Sequence, residues 1–599
     1  MESMHHNGVM VPPEYESQGL SVKIKGELRV LNPREEERIV AWAKKIGTPY
    51  VDDPVFASNF HNDLSQLMGE KIRPSAVDYS EIYASVVEER EYKKAIPREE
   101  KKKLAEGRKV IREANKEKYG YATIDGDRCE LGNYMVEPSS IFMGRGQHPF
   151  RGKWKEGPRH SDVILNHSKD VPPPEGDWLR VDWDPNSIWV AKWKDKLTGR
   201  MKYVWPHDSS PVKQKAEIIK FNKAIELRKN LGKIGRHIKE NMTHEGLKRR
   251  KTATVCYLIN DLKFRVGDEK DEEEEADTVG ASSLRAEHIC INDDGSVTFD
   301  FLGKDSIQLL LTAELDDQAT VNLKEFMETS NGGTLFSEVN SSVVSEFLDE
   351  VMEGITAKVF RTCYATQAVE SKLKEVEVPL DAPDYYKKHV ATIANLEAAM
   401  TCNHKRAISP SWAASLERQK ERLKTRKQRA RENTRKYKQR IKDTNKRYTE
   451  RVAKYEAKLD VDKQKREEYK KDLAEKEKAG KAVKGVKNRI ASKNKVIRNG
   501  RKRIRDTKAK HRDAIAKLKE RMTTRQQKNK TGIEKATLQI EAKEMTKDYN
   551  LGTSLKSYVD PRVFFEWGKQ VEYDWRNYYS ATLEKKFSWV DPEAPAQEA

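Results

Sequence analysis

No proline occurs between Pro410 and Pro561, and glycine is sparse along that stretch. Proline ends helices by fixing φ and removing an amide donor, so a run this long is open to uninterrupted helix. Its apolar residues are periodic. Leu416, Leu423, Ala430, Tyr437, Ile441, Tyr448, Val452, Tyr455 and Leu459 advance by seven, or by four and three. Farther on, Val483, Ile490, Ile497, Ile504, His511 and Leu518 keep one seven-residue register. Ala479-Gly480-Lys481 lies between the two halves, with Gly485 just beyond. The pattern predicts two long helices folded back as an antiparallel coiled coil. At about 1.5 Å rise per residue, each arm would reach on the order of 100 Å.

The same stretch holds the chain's positive charge. Residues 411–550 contain 48 Lys and Arg against 20 Asp and Glu, a net of +28; the remainder has 67 against 76, a net of −9. A basic block of this kind points to a polyanion, of which nucleic acid is the commonest, although a solvated helical face carries similar charge. The chain is 36% hydrophobic and 35% charged, a balance suggesting a folded part joined to a long solvated one. At 599 residues it exceeds a single core.

Other classes find no support. The five cysteines (Cys129, Cys256, Cys290, Cys363 and Cys402) are odd in number, widely spaced and without a CxxC pair. They fit a reducing compartment and argue against a disulfide framework or a structural zinc site. No run reaches the ~18 apolar residues of a membrane helix, and no secretory signal opens the chain. A GxxxxGK[ST] phosphate loop, HExxH, an EF-hand loop and a GxSxG elbow are all absent, so neither ATP hydrolysis nor zinc catalysis is supported.

Outside the basic stretch the texture is mixed. Residues 1–19 lack periodicity and are expected to be disordered. From 20 to 210, short strand-like pieces alternate with Pro/Gly breaks and with charged helical stretches such as 86–118. In the Trp-rich section, Trp189, Ala191 and Trp193 share one parity and Lys192 and Lys194 the other, which predicts a strand. From 211 to 406 the pattern is mainly helical. Ile289 and Ile291, then Asp293-Asp294-Gly295, then Val297, Phe299 and Phe301 form a hairpin signal inside it. Residues 549–599 read as globular again.

DNA strand transfer without metal would need a hydroxyl nucleophile. It would also need cations fixed on the non-bridging oxygens and a proton for the leaving 5′ oxygen. Five segments, in order, resemble motifs of one family, the eukaryotic-type DNA topoisomerase I of type IB. Phe264-Arg265-Val266-Gly267-Asp268-Glu269-Lys270, followed by Ala276-Asp277-Thr278-Val279-Gly280, resembles its first arginine motif. Asp300-Phe301-Leu302-Gly303-Lys304-Asp305-Ser306-Ile307 is similar to its lysine hairpin, and Thr356-Ala357-Lys358-Val359-Phe360-Arg361-Thr362 to its second arginine helix. Cys402-Asn403-His404-Lys405-Arg406 and Tyr558-Val559-Asp560-Pro561-Arg562 resemble its histidine and tyrosine motifs. Taken singly, such residues are ordinary helix-surface, capping or packing groups; their joint order over residues 20–599 carries the resemblance.

The resemblance implies roles. Arg265, Arg361 and His404 would bind the scissile phosphate, Lys304 would protonate the leaving 5′ hydroxyl from the minor groove, and Tyr558 would link to the 3′ phosphate. Arg145, within Met143-Gly144-Arg145-Gly146-Gln147-His148-Pro149, would approach DNA beside Asp305. The basic run Lys248-Arg249-Arg250-Lys251 is a candidate for DNA binding or nuclear import. The implied fold class is multidomain α+β, a bilobed DNA clamp. It comprises a mixed α/β cap lobe (20–210), a mainly α-helical tyrosine-recombinase-like catalytic lobe (211–406), a basic coiled-coil linker (407–549) and a C-terminal domain (550–599). The partner would be double-stranded, preferably supercoiled DNA held by a monomer, with no membrane. No cofactor would be required, Mg2+ being at most stimulatory. The compartment would be the nucleus for a cellular eukaryotic source, or a virion or viral factory for a viral one.

Three departures stand out. Ser557 occupies the position before the nucleophile where the family usually has Asn, which predicts reduced sensitivity to camptothecin-type interfacial poisons. The coiled-coil segment is longer than usual, and the family's long charged N-terminal tail is not seen. A tyrosine recombinase would share the Arg, Lys, Arg, His and Tyr chemistry but usually lacks a large cap lobe and a coiled coil of this kind. A non-catalytic DNA-binding scaffold would keep the basic helices and have no use for Tyr558.

Overall fold

The computed structural model describes residues 1–267 and 278–591. It divides into two compact units. One comprises Met1–Asp381, Val390–Ala407 and Asp548–Ala599; the other comprises Ala382–His389 and Ile408–Lys547.

Three hydrophobic cores stand out among the described residues of the first unit. Between residues 20 and 86, the helices Pro33–Ala43 and Pro54–Met68 pack Trp42 against Phe60, with ring centroids 4.6 Å apart. The strands Glu27–Val30, Ser21–Ile24 and Val77–Asp78 border that core. A second core lies under two sheets. One is Met4–His6, Tyr121–Ile124 and Asp127–Glu130; the other is the four-stranded Arg180–Asp182, Val163–Asn166, Ala191–Lys194 and Met201–Val204. Trp189, Ala191 and Trp193 are buried, in keeping with their shared parity.

The expectation of a disordered N-terminus is overturned. Met4–His6 pairs antiparallel with Tyr121–Ile124, Met4 and Val9 are fully buried, and Met10 bridges Met135. A three-residue edge strand is too short to show a period, and its partner lies more than a hundred residues downstream. Only the folded sheet reveals it.

The third core spans residues 224–363. Helix Leu247–Leu262 is buried continuously from Lys251 to Ile259, packed between the long helix Pro211–Asn241 and helices Asp317–Thr329 and Ser341–Asp349. A three-stranded antiparallel sheet, Ile289–Ile291, Val297–Gly303 and Ile307–Ala313, lies beside them. The predicted turn is present, with Gly295 at φ +85°, a conformation costly for residues bearing a Cβ. A second hairpin follows it, whose turn Lys304–Ser306 carries Lys304.

In the second unit, helices Trp412–Lys478 and Lys484–Met545 run antiparallel. The register is visible in cross-pairs. Lys420 reaches Glu544 at 2.7 Å, Lys508 reaches Glu456 at 2.9 Å and Lys493 reaches Asp462 at 2.6 Å. Leu459, Ile497 and Ile504 form a small buried cluster with Val452 and Tyr455 packed on it, and His511 stacks on Tyr448 at 5.0 Å.

Candidate active site

Arg265 follows a helix end. Lys263 caps helix Leu247–Leu262 in the left-handed region at φ +58°, and its ammonium donates to the carbonyls of Asn260 and Asp261 at 2.7 and 2.9 Å. Phe264 then inserts edge-on against Phe299 and Phe301, centroids 5.2 and 5.5 Å away. That contact ties Arg265 to the hairpin bearing Lys304. Beyond Arg265 the chain crosses its own return at two glycines. A Cβ on Gly267 would lie 2.6 Å from the Gly280 Cα, so neither position accommodates a side chain. Amides of Ala281 and Ser282 donate to the carbonyls of Arg265 and Val266, both at 2.8 Å, completing the clasp. The remainder of this motif, Asp268–Glu269–Lys270 and Ala276–Asp277, lies outside the described residues.

Arg361 sits in the first turns of helix Ala357–Glu375 and is 4% exposed. Its Nη1 donates to the carbonyl of Lys263 at 2.7 Å, and its Nη2 to the carbonyl of Cys402 at 2.6 Å and to His404 Nε2 at 2.9 Å. Its Nε is buried with no protein partner. A guanidinium has donors only, so His404 Nε2 is the acceptor and the ring proton resides on Nδ1, which faces Ser554 Oγ at 2.7 Å. Burial and the neighbouring Arg361 and Arg265 push His404 down to about 3, which keeps the ring neutral. Burial likewise lowers Arg361, although a guanidinium stays charged.

His404 is presented by a left-handed helix end. Helix Asp384–Thr401 is followed by Asn403 at φ +52°, and the His404 amide donates back to Ala399 at 2.8 Å. Asparagine tolerates that conformation better than most residues, because its short polar side chain can bond locally. The His404 carbonyl in turn accepts from the Asn550 amide at 2.6 Å, and Asn550 caps helix Leu551–Ser557.

Tyr558 lies at the end of that helix, 5% exposed, just before Asp560 caps helix Pro561–Gln570. Arg265 Nη1 donates to its hydroxyl at 3.2 Å, Arg361 lies over its ring at 5.0 Å, and the His404 ring is 4.8 Å away. Thr366, on the Arg361 helix, donates to the Tyr558 carbonyl at 3.4 Å and accepts from the Asp560 amide at 3.1 Å. Arg265, Lys304, Arg361 and His404 line one cavity of about 160 Å3, with Asn550 and Thr553 at its wall. Arg265, Arg361 and His404 therefore adjoin both Tyr558 and the cavity that Lys304 also lines.

The other predicted residues are placed differently. Arg145 is exposed in a loop with Gly144 at φ +63° and Gly146 at φ +56°. Any side chain at Gly146 would collide with that of Ser306, so the loop packs on the turn bearing Lys304. Its expected pairing with Asp305 rests on the Asp305 side chain, which lies outside the described residues. Lys248 is exposed, whereas Arg249 forks onto Glu350 at 2.9 and 2.6 Å and Arg250 pairs with Glu325. Sequence reasoning missed Ser554 and Thr366. Each lies about one helical turn from a recognised residue, Ser554 four before Tyr558 and Thr366 five after Arg361, which is the one signal available.

Among the described residues, no cluster of His, Cys, Asp and Glu suits a metal ion, and no helix is long and apolar enough to cross a membrane.

Three family descriptions match segments of the chain. Residues 1–206 match the family described as eukaryotic DNA topoisomerase I, DNA binding fragment. Residues 209–441 match the catalytic core of the same family, and residues 530–596 match the C-terminal topoisomerase domain. DNA topoisomerase 1 beta of Arabidopsis thaliana is 32% identical over 99% of this chain, which spans 59% of that protein's length. DNA topoisomerase 1 of Homo sapiens is 29% identical over 98% of this chain and 70% of its own length. DNA topoisomerase 1 of Candidozyma auris is 30% identical over 98% of this chain and 82% of its own. Matched from its first strand to its C-terminal helices, the chain belongs to the eukaryotic DNA topoisomerase I family.

Proposed function

We propose that this chain is a type IB DNA topoisomerase, which nicks one strand of duplex DNA through a 3′-phosphotyrosyl link at Tyr558. Rotation about the intact strand then relaxes positive and negative supercoils before the nick is resealed. The observation that carries the reading is the Tyr558 hydroxyl, held by Arg265 at 3.2 Å with Arg361 and His404 against the same ring. In this reading the Tyr558 hydroxyl releases its proton to water as its oxygen attacks phosphorus, the bond to the 5′ oxygen breaks, and Lys304 gives that oxygen its proton. Arg265 and Arg361 meet the charge that develops on the non-bridging oxygens, and His404 joins them once its ring proton moves from Nδ1 to Nε2 as the phosphate takes over Arg361. The buried, unpartnered Nε of Arg361 supports this, since a phosphate oxygen would supply its missing acceptor. The tyrosyl ester conserves the phosphodiester, so resealing requires neither ATP nor a metal, and Mg2+ would at most stimulate.

The partner in this reading is double-stranded, preferably supercoiled DNA, clamped by a monomer between the cap and catalytic lobes. The net +28 of residues 411–550 supports a polyanion. Arg145 and Asp305 would reach DNA near the nick, and Lys248 would contact phosphate. Arg249 and Arg250 would have to exchange Glu350 and Glu325 for phosphates. The eukaryotic relatives point to the nucleus as the compartment.

The test is to trap the covalent complex on supercoiled plasmid without ATP or metal. Protein on the 3′ end and a free 5′ hydroxyl are expected. Protein on the 5′ end, or relaxation surviving in Tyr558→Phe, would overturn the reading.

A further inference from the structure

Helix Leu551–Ser557 ends directly before Tyr558, whose amide still donates to Ser554, so the carbonyls of Lys556 and Ser557 have no amide donor following them in the helix. Two lysines supply donors from elsewhere in the chain. Lys220, on the long helix Pro211–Asn241, donates its ammonium to the Ser557 carbonyl at 3.1 Å. Lys586, on the last helix Ala581–Lys586, donates to the Lys556 carbonyl at 2.9 Å. Both side chains are withdrawn from water, at 13% and 6% exposure. An ammonium is costly to bury, which makes two of them on consecutive carbonyls an unusual arrangement.

Two carboxylates balance them. Glu217 accepts Lys220 at 2.6 Å and Lys586 at 3.3 Å. Asp208 lies 3.1 Å from Lys556, 3.3 Å from Lys213 and 3.9 Å from Lys586. Gln214 Nε2 donates to the carbonyls of Lys585 and Lys586 at 3.1 and 3.2 Å, fastening the last helix to the long one. Thr366 holds the other side of the nucleophile, at the Tyr558 carbonyl and the Asp560 amide.

We infer that Lys220 and Lys586 are positioning residues for Tyr558, a pair of ammonium caps that fix the helix end from which the nucleophile departs. The inference rests on the proposed topoisomerase reading. Cations at a helix C-terminus also complement its dipole, so the caps oppose fraying of the turn that aims the phenol. Burial pulls Lys220 down to about 8 despite Glu217, consistent with a donor shielded from solvent. Small errors in nucleophile placement are expensive in rate and cheap in binding. The variants should therefore damage the chemical step and leave DNA affinity intact.

The test uses the full chain and a nicked-trap duplex oligonucleotide from which cleavage is read in a single turnover. Lys220→Met and Lys586→Met should each slow cleavage by roughly tenfold or more. DNA affinity, measured with Tyr558→Phe added to each, should stay within about twofold of Tyr558→Phe alone. Lys220→Arg, which keeps a charged donor, should recover part of the rate. If Lys220→Met does not fold, Lys220→Arg and Lys586→Met decide, with a slowed cleavage rate at unchanged affinity expected of both. Cleavage within about twofold of the parent, or a loss confined to DNA affinity, overturns the inference. A parent chain that forms no covalent complex fails the topoisomerase reading instead, so the two failures are distinct.

Discussion

The helical pair and the catalytic core solve the problem of burial in opposite ways. The 67-residue helix Trp412–Lys478 buries only Leu416, Thr444 and Leu459, and its 62-residue partner only Val486, Ile497, Ile504 and Ile540. Helix Leu247–Leu262, a quarter of that length, buries nine consecutive residues, three of them polar. Each polar group there has a partner, such as Lys251 on Ser337 at 2.9 Å and Thr254 on the Arg250 carbonyl at 2.9 Å. The core concentrates apolar area and satisfied hydrogen bonds to hold a few atoms in place. The helical pair instead has a thin seam and many cations, which suits contact with a charged partner better than a rigid pocket.

Truncation sharpens that contrast most. Phe299→Ala, under Phe264 and fully buried, should cost about 3–5 kcal/mol by cavity formation, read from urea midpoints. Leu459→Ala, in the seam beside Ile497 and Ile504, should cost about 2 kcal/mol and leave cleavage unaffected. Equal losses at the two positions would break the distinction. Next in size, deleting residues 430–530 removes opposed portions of both helices. DNA affinity at low salt should fall by about tenfold or more and its salt dependence should flatten, while DNA cleavage persists. An unchanged salt slope would remove the helical pair from DNA binding.

A smaller effect comes from pH. His404 is held near 3 in the folded chain, below its ordinary value, so the unfolded state binds the extra proton between about 6.5 and 3. Stability contributed at this site is full above pH 6.5 and declines as pH falls, by about 1.4 kcal/mol per unit at most. Unfolding curves at pH 5 and pH 7 should therefore diverge less in His404→Gln than in the parent. The smallest expected change is at Ser557. Ser557→Asn should raise camptothecin-trapped cleavage by a few-fold, on the order of 1 kcal/mol of complex stability. Full sensitivity of the parent would discard that idea.

Legibility in the sequence followed the range of the interactions. The helical pair and the Gly295 turn were readable because heptads and Asp-Gly steps are local signals. The five residues around Tyr558 were recognisable through ordered motifs. The strand Met4–His6 was not, because three residues carry no period and their partner is remote. Lys220, Lys586, Ser554 and Thr366 were equally hidden. Each is an ordinary polar residue on a helix, and only the approach of distant segments makes it part of the site. Arg249 and Arg250 illustrate the reverse case, cations that look available in sequence and are occupied by carboxylates in the fold.

Two of the groups that hold Arg361 are main-chain carbonyls, those of Lys263 and Cys402. Every amino acid supplies that acceptor. The hold on Arg361 therefore depends on the path of the main chain at 263 and 402 and not directly on the side chains there. A substitution at either place that keeps the backbone path would leave the guanidinium pose unchanged.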